Sequence, residues 1–404
     1  MHHPTSNFAG VDWATDAHQI AVVDPTGAIV TEFSVPHTAV GLTDLCRRLE
    51  RAGVARVAIE RPDGPVVEAL LDARFQVVVV SSRSIKALRT RYGTAGNKSD
   101  RSDAYVLADC LRTDGHRWPN LQRDTPATVT LRSHVRARKD LVTTRVHTAN
   151  QLRAHLNVVF PGAVGLFRDI DSPISLRFLE RFPSATRAAW LSEKRLAAWL
   201  RANGYCGRKT PAELYRRLTQ AAPGINGDDG DARGAVALAF VTVLRHLRTQ
   251  IDELDTRIAE LLDAHPDAVI FQSLPRSGTI RAAALLAEIG DCRARFPDPE
   301  SLACLAGVAP STRASGRHHT VTFRWAADTK LREAICDFAG DSWRANAWAE
   351  QRYRQLRASG KRHPHAVRIL ARSWLHIIWR CWQDGVPYDP TQHGAHQRLH
   401  RQAA

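Results

Sequence analysis

The sequence predicts a mixed α/β domain at the N-terminus, then a long helical region, then a mainly α-helical C-terminal domain. Three observations lead there. Short apolar segments in the first 115 residues read in the order βββαβαβα. Residues 234–264 carry an unbroken heptad seam. Residues 344–404 set tryptophans among basic residues at helical spacings. The chain has 404 residues, room for two or three domains of about 150 residues each. With 44% hydrophobic and 24% charged residues it can bury real cores, which excludes wholesale disorder.

Residues 8–14, 18–24 and 28–34 read as three short strands, with turns at Asp16-Ala17-His18 and Pro25-Thr26-Gly27. Residues 39–51 read as a helix. Val54 to Glu60 is an apolar strand that ends on an acid, 65–73 is helical, and 76–80 is a buried strand. Ser82 to Tyr92 is expected to be helical and Gly93 to Asn97 a flexible loop. Ser99 or Asp100 then caps a helix running to about residue 112.

From Thr130 to Leu156 the pattern is helical and basic: Arg132, Arg136, Arg138, Lys139, Arg145 and Arg153 face only Asp140. Helical pieces broken by prolines follow, ending in the acidic, Gly-rich run 224–231. Ala237, Phe240, Leu244, Leu247, Ile251, Leu254, Ile258 and Leu261 then step by alternating threes and fours. That seam predicts a coiled coil between subunits or domains. The resulting division is 1–150 for the sheet domain, 151–232 for a helical linker region, 233–266 for the coil and 267–404 for the C-terminal domain. Within the last, Ser273 to Gly278 opens a helix whose first amides can hold a phosphate.

Lys and Arg number 56 against 41 Asp and Glu, a formal charge of +15. Such an excess points to a polyanionic partner, most simply nucleic acid. The seven cysteines are scattered, the closest pair 12 apart, which excludes zinc-ribbon and CxxC spacings and suits a reduced cytoplasm. No apolar run reaches 18 residues, and the N-terminus lacks a signal pattern, so the expectation is a cytoplasmic, nucleoid-associated protein without a membrane partner.

Four acids carry the chemistry. Asp12 sits inside the apolar string Ala9 to Ala14, where a carboxylate is costly to bury without compensation. Glu60 ends the apolar strand from Val54. Asp100 and Asp103 are three apart at a helix start and share a face. Were the strands adjacent and the helix packed over them, the acids would converge. Such a nest of hard oxygen donors suits two Mg²⁺ or Mn²⁺ ions and phosphoryl transfer. Taken without that packing, Asp100 and Asp103 are equally well read as capping and surface acids.

Asp12 in GVDWA, Glu60 in AIERPDG, and NKSDRSDA with Asp100 and Asp103 closely resemble the RuvC-like DEDD domain of a bacterial insertion-sequence transposase family. LPRSGTIRAAALLAEIGD and SLACLAGVAPSTRASGR resemble that family's C-terminal transposase domain. The motifs cover about 1–115 and 270–345. Many relatives have LPGVGP where this chain has Leu274 to Thr279, so Arg276 stands in place of the first glycine.

The resemblance implies an RNase H-like (RuvC-like) catalytic domain and a recombinase guided by a structured noncoding bridge RNA that pairs with donor and target DNA. It implies metal on the four acids, and a serine that attacks the DNA phosphate to give a phosphoserine intermediate. It also implies dimers and tetramers with sites composed from different subunits. By the family pattern the serine is Ser315, between Arg313 and Arg317, with Ser311 the near rival. Both arginines suit phosphate neutralisation, as do Arg132, Arg136, Arg138, Lys139 and Arg276. Competing classes are a plain RuvC-like nuclease that uses only the acids, an actin-like kinase or ATPase, and a non-catalytic nucleic-acid-binding protein.

Overall fold

The computed structural model describes residues 6–89, 99–315 and 318–394. It divides into two compact units, Met1–Arg123 and Asp124–Ala404.

The first unit holds strands β1 (Asn7–Asp12), β2 (Ala17–Val23), β3 (Ile29–Pro36), β4 (Val54–Ile59) and β5 (Gln76–Val79). Its helices are α1 (Ala39–Arg51), α2 (Pro65–Asp72), α3 (Ser82–Arg89) and α4 (Asp100–Asp114). The sheet order is β3-β2-β1-β4-β5, antiparallel on the hairpin side and parallel for β1–β4 and β4–β5. Both faces are covered, so the central strands are apolar throughout, as in other sheets buried on both sides. Ala9, Val11, Val57, Ile59 and Val77 turn to one face, in a core shared with α1 and α2. Phe8, Ala58, Val78 and Val80 turn to the other, with Val106, Leu107 and Leu111 of α4. Ser99 caps α4 by accepting a hydrogen bond from the Ser102 amide at 3.2 Å. The loop expected at Gly93 to Asn97 lies outside the described residues.

The second unit begins with α5 (Pro126–Val159), then α6 (Pro173–Arg181), α7 (Ala185–Ala188), α8 (Glu193–Ala202) and α9 (Pro211–Thr219). It continues with α10 (Gly227–Asp263), α11 (Ala268–Gln272), α12 (Gly278–Ile289) and α13 (Pro299–Leu305). A two-stranded ribbon follows, β6 (Ser311–Ser315) and β7 (His318–Thr322), then α14 (Thr329–Ser342), α15 (Ala347–Ala358) and α16 (His363–Asp384).

Helices α5 and α10 run antiparallel. Thr128 meets His265 at 2.9 Å, Arg138 pairs with Asp255, and His155 meets the Arg233 carbonyl at 2.9 Å. Two findings depart from the sequence expectation. The boundary expected at residue 150 falls inside α5, which packs along α10 within the second unit. The heptad seam is covered in part within the chain: Ala237 and Leu244 join the core of α6–α9 and Ile258 that of α11–α16, while Phe240, Leu247, Leu254 and Leu261 are half-buried. The two ends of the α5–α10 pair therefore belong to different cores.

The tryptophans of 343–382 are core residues. Trp374 and Trp382 are fully buried, and Trp343, Trp348 and Trp379 pack against the same cluster. No described helix is long and apolar enough to cross a membrane.

Candidate functional site

The site begins with strand register. Val11 of β1 pairs with Ile59 of parallel β4, so Asp12 and Glu60 follow at the carboxyl ends of neighbouring strands. Side chains alternate along a strand. Asp12 therefore shares the face of Gly10, and Glu60 that of Ala58, which is the face covered by α4. Both acids are half-buried.

Gly10 lets α4 approach this closely. A Cβ there would lie 2.1 Å from the Ala104 carbonyl oxygen and 2.5 Å from the Ala108 amide nitrogen. The far end of α4 is tied to the opposite end of the sheet. Arg56 donates to the Gly115 carbonyl at 3.0 Å, and Arg112 to that of Pro25 at 3.3 Å. Helix α4 thus runs antiparallel to β1, and its acidic first turn lies toward Asp12. Asp103 is one turn before Leu107, on the stripe that meets the sheet, and is 3% exposed. Asp100 lies on the same stripe but is exposed. Topology thus brings Asp12, Glu60 and Asp103 to one end of one sheet face, with Asp100 at its rim.

The donor chemistry, carboxylate oxygen alone, fits a hard divalent cation. Yet among the described residues no three His, Cys, Asp or Glu side chains are gathered closely enough to hold an ion. None of Asp12, Glu60 and Asp103 lacks an interaction partner.

In the second unit, Ser315 ends β6, exposed, with His318 as its register partner across the ribbon. Arg313 is exposed on the same strand. Arg317 lies outside the described residues. Ser311 begins β6 and is half-buried; its carbonyl accepts from the Thr322 hydroxyl at 3.3 Å.

The basic stretch of α5 proves to be internally paired. Arg132 meets Asp124 at 2.5 Å, and Arg136 makes a bidentate pair with buried Glu288 at 2.6 and 2.9 Å. Arg138 pairs with Asp255, Lys139 with Glu333 at 3.6 Å and Arg145 with Asp171 at 3.3 Å. The local excess in sequence is offset by acids more than a hundred residues away for Arg136, Arg138 and Lys139.

Arg276 keeps a left-handed backbone, φ 56°, and its guanidinium holds Asp341 at 3.0 Å. Beside it, at the start of α12, a cavity of about 780 Å³ is lined by Ser277, Gly278, Arg138, Lys139, Arg281 and Lys330, among others. Ser277 is 3% exposed, and its hydroxyl has no hydrogen-bond partner among the described residues.

Comparison with known proteins decides the family. Residues 9–161 match a family model described as "Transposase", and residues 268–354 one described as "Transposase IS116/IS110/IS902 family". The "Mini-circle putative transposase for IS117" of Streptomyces coelicolor is 32% identical over 397 residues, 95% of each chain. The chain belongs to the IS116/IS110/IS902 family of transposases. Other relatives in the family include the "Insertion element IS900 uncharacterized 42 kDa protein" of Mycobacterium paratuberculosis. It is 28% identical, over 95% of this chain and 97% of that one. The mixed-sheet first unit and the helical region after it fit an RNase H-like transposase. The DEDD resemblance in the sequence thus names the right family, and the two matched segments contain all four acids and both candidate serines.

Proposed function

We propose that this transposase cuts and rejoins DNA during insertion-sequence transposition, guided by a bridge RNA, with Ser315 as nucleophile and Asp12, Glu60, Asp100 and Asp103 as metal-binding acids. The observation that carries the reading is the β1–β4 register, which puts Asp12 and Glu60 at adjacent strand ends under the acidic first turn of α4. Mg²⁺ or Mn²⁺ bound there would neutralise phosphate oxygens and favour attack at phosphorus.

The serine step balances simply. Ser315 Oγ forms a bond to phosphorus and loses its proton, and a phosphorus–oxygen bond of the DNA backbone breaks. The departing DNA hydroxyl takes up a proton. The ester conserves the phosphodiester linkage, so rejoining by the reverse attack needs no ATP. Exposure of Ser315 at a ribbon end supports access to DNA, and Arg313 supplies a cation on the same strand. The α12 start, with the buried Ser277 hydroxyl and Lys330, is a second place for a backbone phosphate. A dimer or tetramer acting on donor and target DNA completes the proposal.

The test incubates the full-length protein with Mg²⁺, RNA transcribed from the element's noncoding flank, and DNA carrying its junctions. Denaturing gels should show a covalent protein–DNA adduct for wild type and Ser311→Ala, and none for Ser315→Ala. Asp12→Asn should lose cleavage. Full hydrolytic cutting by Ser315→Ala, with no adduct in any variant, would replace the proposal with a plain nuclease.

A further inference from the structure

Nothing in the hydrophobic cores accounts for the segment from Ser311 to Trp325. The ribbon β6–β7 is exposed along nearly its whole described length, and none of its residues joins a core cluster. An isolated two-stranded ribbon is marginal in water. This one is held at its base by arginines. Arg324 donates to the Ala309 and Pro310 carbonyls at 3.3 and 3.2 Å. Arg332 donates to the Ala306 and Arg324 carbonyls at 3.3 and 2.8 Å.

At that base two guanidinium groups lie over the Phe323 ring, Arg332 at 4.6 Å and Arg368 at 4.8 Å from its centre. Trp325 stands edge-on to Phe323, with 4.8 Å between ring centres and 83° between ring planes. It is nonetheless 81% exposed. The indole is thus buttressed from one side and open to solvent over most of its surface. A supported exposed ring binds with little loss of side-chain freedom.

The surroundings select the occupant. Among the described residues, no carboxylate pairs with Arg313, Arg324, Arg332 or Arg368, in contrast to the paired arginines of α5. An aromatic face among uncompensated guanidiniums suits a nucleobase and its flanking phosphates, since every base offers a π-face and every phosphate a charge. Trp190 is the instructive contrast. It is 55% exposed, but Arg195 already covers its ring at 4.3 Å.

We propose that Trp325 is a stacking platform for a base of the DNA strand engaged by the β6–β7 ribbon. The proposal rests on the reading above only in assigning the strand to DNA. Strands rise about 3.4 Å per residue, so Ser315 lies about 14 Å along the ribbon from the end where Ser311 pairs with Thr322. The stacked base would therefore lie some nucleotides away from any phosphate held at Ser315. Stacking is sequence-tolerant, so Trp325 would fix the strand's register and leave base identity to pairing.

The experiment uses the full-length protein and one oligonucleotide carrying 2-aminopurine at successive positions, as single-stranded DNA, duplex DNA and single-stranded RNA. Wild type should quench the probe at one or two positions of the single-stranded DNA. Trp325→Ala should abolish that quenching and weaken binding on the order of tenfold or more. Trp325→Phe should retain most of both, and Trp190→Ala should match wild type. Because the side chain is so exposed, thermal midpoints should agree across the set, which separates a binding loss from misfolding. Ser315→Ala should bind and quench normally, so failure of the nucleophile assignment would leave this result standing. Unchanged quenching and affinity in Trp325→Ala would overturn the proposal. So would Trp325-dependent quenching confined to the RNA.

Discussion

Gly10 lies directly beneath Ala104, so close that no Cβ fits between strand β1 and helix α4. This approach sets the depth at which the acidic turn of α4 meets Asp12. Gly10→Ala pushes against backbone on both sides and not against a flexible side chain. Overpacking of that kind costs about 1–3 kcal/mol, and backbone neighbours put it at the upper end. The thermal midpoint should fall. DNA cleavage should fall further than the remaining folded fraction explains, because α4 is displaced.

Arg136 and Glu288 show that the basic helix is also a structural one. Removing the guanidinium leaves the buried Glu288 carboxylate without its bidentate partner. Arg136→Ala should destabilise the second unit by about 1–3 kcal/mol, the cost of a buried carboxylate losing its hydrogen-bond partner. Replacing both residues together, Arg136→Met with Glu288→Leu, should recover most of that loss, because no buried charge remains. Chemical denaturation of the two variants checks the pair.

His18 gives the first unit a pH dependence. Its ring is fully buried, Nδ1 accepts from the Ala14 amide at 3.3 Å, and Nε2 meets His37 Nδ1 at 2.8 Å. Burial, then the neighbouring His37, holds His18 below the ordinary imidazole value of 6.5. The unfolded chain therefore takes up the proton first. This contribution to stability is fully present above about pH 6.5, and it is lost as pH falls through the folded-state value. Thermal midpoints of wild type and His18→Leu should run parallel above that pH. Below it, the wild type should fall more steeply.

Much of the first unit is legible in sequence because its strands are short, apolar and bounded by turn residues. The expected helix at 39–51 coincides with α1, and Ser99 does cap α4. Strand ends shift by a residue or two, as ends do. The acids are legible as unusual residues in apolar strings, and their common face follows once the β1–β4 register is known. What sequence does not carry is long-range partnership. The seam of α10 looks the same whether its cover is another subunit or α5. The arginines of α5 look free until Asp255, Glu288 and Glu333 fold back onto them. The tryptophans of α16 have a helical spacing that suits a core as well as a surface. Trp325 carries no periodic signal at all, lying three residues beyond a ribbon with no apolar alternation.

The central claim is that Asp12 and Glu60, under the first turn of α4, bind a divalent ion. Titrating Mn²⁺ into the full-length protein and following the free-ion signal by electron paramagnetic resonance tests it without any DNA. Wild type should deplete free Mn²⁺ with a saturable site, and Asp12→Asn with Glu60→Gln should leave it free at the same thermal midpoint or higher. Equal uptake of Mn²⁺ by wild type and the double variant would contradict the account.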